Sequence, residues 1–240
     1  MVVAEADGDV VQNSIGYCCR NDGARLLSEI IRVRGRFADL QVFEETRGLR
    51  VGDQVEFRDQ MLSVTLGPGL LGQTYDGLQN PLAELAEEVG FFLRPGKYLP
   101  GLDPERKWDF TPVAKPGQAV QAGDPLGTVP EGLFTHQVMT PLAWQGQFTV
   151  ARIVEAGSYT VSTEIATLSD ADGNDRPVTM QQTWPVKRPL MVGRRRLMPT
   201  EPLVTRVRII DSMFPVVKGG TYCIPGPFGA GKTVLQQITS

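Results

Sequence analysis

Short apolar runs of strand length, interrupted by glycine, proline or Asp/Asn pairs, recur along most of the chain. Between Leu26 and Leu66 four of them, LLSEIIRVRG, ADLQVFEE, DQVEF and MLSVTL, are separated by turn signals at Gly35, at Gly48 with Gly52, and at Asp59. Such a series of strands predicts closure as a small antiparallel barrel or sandwich. The texture changes at Asn80. Asn80 can cap a helix, Pro81 suits its first position, and Leu82, Leu85, Ala86 and Val89 recur at helical spacing, which predicts one short amphipathic helix. From Trp108 to about Trp184 strand-like runs return, punctuated by KPGQAVQAGDPLG, PLAWQGQ, EAGSY and the polar hairpin signal DADGND, and read as a separate β module. The Pro- and Arg-rich stretch VKRPLMVGRRRLMPTEP reads as an ordered linker back to another domain, with Arg194, Arg195 and Arg196 in a solvated turn.

Composition narrows the function classes. The chain has 240 residues, enough for more than one core, and its 41% hydrophobic and 21% charged content is that of a folded globular protein. With 24 basic against 27 acidic residues, no net positive field is present to gather nucleic acid. No run approaches the roughly 20 apolar residues of a spanning helix, and MVVAEADGDV lacks the basic and apolar regions of a secretion signal. Cys18, Cys19 and Cys223 form neither a C-x-x-C pair nor a disulfide framework, which fits a reducing, cytosolic setting. His136 is the only histidine, so a histidine-based metal site or a Ser/His/Asp triad has little material, and His136 is read as structural.

One motif carries chemistry. Gly226-Pro227-Phe228-Gly229-Ala230-Gly231-Lys232-Thr233 satisfies G-x-x-x-x-G-K-[ST] and follows the apolar run Tyr222-Cys223-Ile224, read as a strand, in the strand, loop and helix order that the motif requires. Glycines at 226, 229 and 231 allow backbone angles and a close approach that a Cβ would block, so successive N–H groups can surround a phosphate. A helix beginning near Val234 adds its N-terminal amides and dipole. Lys232 supplies charge to the β- and γ-phosphates, and the Thr233 hydroxyl is placed to bind Mg²⁺. Phe228 is read as a core-packing aromatic, with a shape-setting residue of the loop as the alternative. A second constellation, Lys115 to Gly127 with Val138-Met139-Thr140-Pro141, resembles the hybrid barrel of biotinyl and lipoyl carrier domains. Those carriers present a lysine beside the hairpin methionine. Here Val138 and Thr140 flank Met139, so no attachment amine exists and the segment reads as structural.

LGPGLLGQTYDGLQNPL (66–82), KWDFTP (107–112), QTWPVKRP (182–189), MFPVVKGG (213–220) and IPGPFGAGKT (224–233) together resemble the catalytic A (alpha) subunit of V-type and archaeal-type rotary ATPases, in order along nearly the whole chain. The resemblance implies a mainly β fold with some α/β. Residues 1–66 would be an N-terminal antiparallel β-barrel whose first strand is missing. Residues 67–109 would connect to and open the nucleotide-binding domain, 110–186 would be the β-rich bulge, and 187–240 would return to a truncated RecA-like P-loop domain. It further implies ATP or ADP with Mg²⁺ as ligands. The implied partners are B subunits alternating in a hexamer, with central and peripheral stalk subunits. The implied location is cytoplasmic, peripheral to the membrane, with ATP hydrolysis or synthesis coupled to proton or sodium movement through other chains.

Seven residues follow Thr233, and the family's water-activating carboxylate, Mg²⁺-orienting Asp and adenine contacts lie beyond them, so the chain alone is expected not to turn over ATP. Arg206 stands where the family usually has glycine. A rival reading makes the β modules an assembly platform and the loop inert.

Overall fold

A computed structural model of the chain describes residues 1–90, 92–190 and 198–239. They fall into two compact units, Met1–Val192 and Gly193–Ser240. Arg194, Arg195 and Arg196, read above as a solvated turn, lie outside the described residues.

The first unit opens with β1 (Val2–Glu5), β2 (Ser14–Cys19), β3 (Arg25–Arg34), β4 (Phe37–Val42) and β5 (Gln54–Met61), an antiparallel sheet in the order β1-β4-β3-β2-β5. Alternation sets its two faces: Val55 and Phe57 of β5 turn inward while Gln54, Glu56 and Arg58 stay outside. Val2 from one end of the sheet and Val55 from the other both pack on its two apolar clusters, Cys18–Leu26–Val42 and Ile30–Ala38–Leu40. The sheet therefore curls onto itself, as a barrel does. Strand β2, with the sequence SIGYCC, was not among the expected runs. Gly, Ser and paired Cys carry little strand propensity, and the residues become a strand because both neighbours, β3 and β5, pair with them.

After β6 (Ser63–Leu66) comes α1 (Leu82–Val89), where the apolar spacing placed it. Asn80 is not its cap. Pro81 holds the cap position without a side-chain bond. The buried Asn80 instead donates Nδ2–H to Asp76 Oδ2 at 2.8 Å and accepts the Leu99 N–H at 2.9 Å. These two bonds fix its amide in the preceding turn, away from the helix. The helix ends at Gly90, whose φ of 79° is left-handed.

The next eight strands are β7 (Lys107–Pro112), β8 (Ala119–Gln121), β9 (Pro125–Glu131), β10 (Phe134–Met139), β11 (Gln147–Ile153), β12 (Gly157–Thr160), β13 (Glu164–Ser169) and β14 (Asp175–Thr179). They form two four-stranded sheets, β10-β9-β7-β12 and β14-β13-β11-β8. Alternating residues of both sheets, among them Trp108, Phe110, Leu126, Phe148, Val150, Ile165 and Leu168, fill one apolar core. DADGND is the β13–β14 turn: Asp170 Oδ1 accepts the Asp172 and Asn174 N–H groups at 3.0 and 2.9 Å. Val138 and Thr140, where a carrier domain would present its lysine, are both buried, and the Thr140 N–H donates to the Asp124 carbonyl at 2.9 Å. Strand β15 (Gln182–Pro185) then returns to pair with β6, Gln182 opposite Leu66 and Pro185 opposite Ser63.

Three side-chain ties bind these parts together. Buried Glu131 accepts the Gly69 and Leu71 N–H groups at 2.7 and 3.1 Å. The Tyr98 hydroxyl donates to Glu44 and accepts the Leu27 N–H at 2.7 Å. Lys187 Nζ lies 2.7 Å from Glu29 Oε1. His136 Nδ1 lies 3.3 Å from Glu131 Oε2.

The second unit contains β16 (Pro202–Leu203), α2 (Arg208–Met213), β17 (Val216–Val217) and α3 (Lys232–Thr239). β16 and β17 pair antiparallel, and Ile210 is the buried apolar residue of this unit among the described ones. No described helix is long and apolar enough to cross a membrane.

Candidate functional site

The Gly-rich loop sits in the second unit. Its glycines do what the motif requires at two positions: Gly229 and Gly231 have φ of 80° and 81°, left-handed values that a Cβ disfavours. The Ala230 N–H donates to the Pro227 carbonyl at 3.3 Å, closing a turn in the middle of the loop. The chain then enters α3, whose first bond runs from the Leu235 N–H to the Gly231 carbonyl at 3.0 Å. The amides of Lys232, Thr233 and Val234 precede that bond and have no carbonyl one turn back, so they are donors available to an anion.

Lys232 arches back over the loop. Its ammonium donates to the Gly226 carbonyl at 2.8 Å and to the Pro227 carbonyl at 2.6 Å. An ammonium has three N–H donors. Two of them therefore hold the loop's shape while the third is left for a ligand. The Thr233 hydroxyl has no partner among the described residues. Thr239, on the same helix, bonds back to the Leu235 and Gln236 carbonyls, each at 3.0 Å. That difference leaves Thr233 with an uncommitted oxygen at the mouth of the loop.

Two expectations fail here. Phe228 is fully exposed (107%) and packs on no core. It occupies the tip of the turn formed by residues 227–230, where a side chain points outward. Tyr222-Cys223-Ile224 was expected to be a strand, but none of the three pairs with a strand among the described residues. An apolar run becomes a strand only when a neighbour takes its N–H and C=O groups.

Arg206 is explained by its backbone. Its φ of 62° is left-handed, the conformation glycine would supply without strain. The conformation is held by Asp211, which accepts the Thr205 hydroxyl at 2.7 Å, the Thr205 N–H at 3.0 Å and the Arg206 N–H at 2.9 Å. Those bonds, the Thr205 hydroxyl first, hold the Asp211 carboxyl below its ordinary value.

Sequence reasoning missed Glu131, Tyr98 and Lys187 as organising residues. Lys187 lies inside the quoted QTWPVKRP, but nothing local marks its partner, which is 158 positions earlier in the chain. No group of three or more His, Cys, Asp or Glu able to hold a metal occurs among the described residues.

Comparison with known proteins matches the two β modules. Residues 7–59 match the family model described as ATP synthase alpha/beta family, beta-barrel domain, and residues 99–187 match that of the ATP synthase alpha/beta subunit barrel-sandwich domain. Over all 240 residues the chain is 55% identical to the V-type ATP synthase alpha chain of Treponema denticola and 56% identical to alpha chain 1 of Treponema pallidum, covering 41% of each. It is 52% identical to the V-type ATP synthase alpha chain of Borrelia garinii subsp. bavariensis, covering 42% of it. The chain thus spans about two-fifths of the length of these relatives. With both β modules matched and more than half of all positions shared from end to end, the chain belongs to the ATP synthase alpha/beta family, among its V-type alpha chains.

Proposed function

We propose that this chain supplies the phosphate-binding part of the ATP-binding catalytic subunit of a rotary ATPase or ATP synthase. In this reading the assembled enzyme couples ATP hydrolysis or synthesis to proton or sodium translocation. The subunit alternates with B subunits in a hexamer, contacts central and peripheral stalk subunits, and lies on the cytoplasmic side, joined to the membrane only through other chains. Residues 226–233 are the phosphate-binding loop of the RecA-like domain. The observation that carries the reading is the pair of bonds from Lys232 to the Gly226 and Pro227 carbonyls, which sets a loop of glycines around one ammonium beside three unpaired helix amides.

The residues fit Mg·ATP or Mg·ADP by their chemistry. The backbone amides of Gly229 and of Gly231 to Thr233 bind phosphate oxygens, and the left-handed glycines let the ligand approach without a Cβ in the way. Lys232 places its remaining N–H donor toward the β- and γ-phosphates. The uncommitted Thr233 hydroxyl is the group suited to a hard cation. Bound there, Mg²⁺ would neutralise phosphate charge during transfer. Of this chain's residues, Thr233 is the one that would contact that cation, beside the phosphates. The β modules contribute barrel and bulge surfaces for subunit contact.

The test is nucleotide affinity in the assembled complex. Lys232→Ala should weaken Mg·ATP binding at least about tenfold, the worth of one charge-assisted contact. Thr233→Ala should abolish the gain in affinity that Mg²⁺ confers while leaving metal-free ATP binding unchanged. Unchanged Mg·ATP affinity in Lys232→Ala refutes the proposal.

A further inference from the structure

In the first unit the segment between barrel and two-sheet module folds over a cleft of about 340 Å³, a size that holds a small organic molecule. Its floor is apolar, with Trp108 and Leu102 both buried. Tyr75 forms one wall and is anchored by donating its hydroxyl to the Gly101 carbonyl at 2.8 Å. Three carboxylates line the rim. Glu88 is paired with Lys97, and Asp103 Oδ1 accepts the Glu105 and Arg106 N–H groups at 2.9 and 3.3 Å. Glu84, one turn before Glu88 on α1, has no ion pair among the described residues. Tyr75 registers the local charge: burial first, then Glu84 and Glu131, push its phenol above the ordinary value.

One cation is already present. The Arg106 guanidinium lies over the Trp108 ring, 4.1 Å from its centroid, and has no carboxylate partner among the described residues. This tethered side chain shows that the indole face accepts a flat cation.

We infer that the cleft binds an organic cation, a guanidinium, amidinium or ammonium on a compact apolar body, with the body against Trp108 and Leu102 and the charge at Glu84. Charge complementarity decides the class. A neutral apolar ligand would leave Glu84 without a counter-charge, and an anion would meet Glu84, Asp103 and the Lys97-paired Glu88, with Arg106, held on the Trp108 ring, as the one further cation of the lining to offset them. A cation satisfies Glu84 and keeps the aromatic contact. Arg106 competes for the same face.

The test uses the full chain and two isosteres, benzamidine (cationic) and benzamide (neutral), followed by calorimetry and by the Trp108 indole N–H resonance. Benzamidine should bind saturably and at least about tenfold more tightly than benzamide. Glu84→Gln should weaken it about fivefold, an effect of one partly exposed charge. Arg106→Ala should strengthen it, because the internal competitor is gone. Circular dichroism checks that both variants fold, and both positions are at the rim, where substitution is tolerated. A blocked Phe-Arg dipeptide separates two sources of the cation. Tighter binding than benzamidine assigns it to a neighbouring polypeptide's arginine, and weaker binding to a free small molecule. Equal affinity for benzamidine and benzamide, no saturation up to about 10 mM, or indifference to both substitutions overturns the inference.

Discussion

Gly127 lies flat against the ring of Phe110: a Cβ added at 127 would overlap Phe110 Cε2 and Cζ and stand 2.8 Å from the Thr111 carbonyl oxygen. Neither neighbour can yield. Phe110 is in the core, edge-on to Tyr159 with ring centroids 6.5 Å apart, and the other obstacle is backbone. Gly127→Ala should therefore destabilise the two-sheet module by about 2–3 kcal/mol, the upper range for overpacking. Urea unfolding followed by tryptophan fluorescence measures it. A cost below about 0.5 kcal/mol, the scatter of surface changes, would mean that the strands separate to admit a methyl group.

Arg206 and Asp211 make opposite predictions. Arg206→Gly relieves a left-handed strain of about 1–2 kcal/mol and concedes about 0.5–1 kcal/mol of chain entropy. The second unit should gain stability, read as slower amide exchange around residues 205–211. Asp211 makes the same turn sensitive to acid. Its folded-state pKa is depressed below the ordinary 3.8, so its contribution is complete above that value and is lost as pH falls through the folded value. Protection of the Thr205 and Arg206 amides should drop below about pH 4, and Asp211→Asn should remove that dependence.

How much of this was legible follows from whether the signal is local. The loop 226–233, the helix at 82–89 and the DADGND turn are written in adjacent residues, and each forms where its residues lie. Asn80 misled because the same amide that caps helices also closes Asp turns, and the choice was made by the Leu99 N–H, 19 residues away. Strand β2 was invisible because its strength comes from two partners and not from its own side chains. Glu131 and Lys187 act on segments about 60 and 158 residues distant, a relationship that no spacing encodes.

Phe228 allows a clean separation of packing from loop shape. Fully exposed, it can contribute little to stability. Phe228→Ala should shift the unfolding free energy by less than about 0.5 kcal/mol. A larger loss in the chain would show that the ring covers apolar surface in solution.

The contact between Lys187 and Glu29 joins the strand returning from the two-sheet module to the centre of the barrel. Glu29 is 8% exposed at its side chain, and its Oε1 accepts no hydrogen bond beyond this ion pair at 2.7 Å. Lys187 is half-exposed, and its ammonium also donates to Asn13 Oδ1 at 3.2 Å. The two sides are therefore unequal. Removing the lysine leaves a desolvated carboxylate, while removing the carboxylate returns a lysine to water at little cost. Lys187→Met should destabilise the first unit by about 1–3 kcal/mol, the penalty for a buried polar group left without its partner. Glu29→Gln should cost less. The double variant should be more stable than Lys187→Met alone, because a neutral amide tolerates the site that an unpaired charge does not. A double-mutant cycle in urea measures all three. Additive effects, with no recovery in the double variant, would show that water already solvates Glu29 and that the strand is held by its backbone pairing with β6 alone.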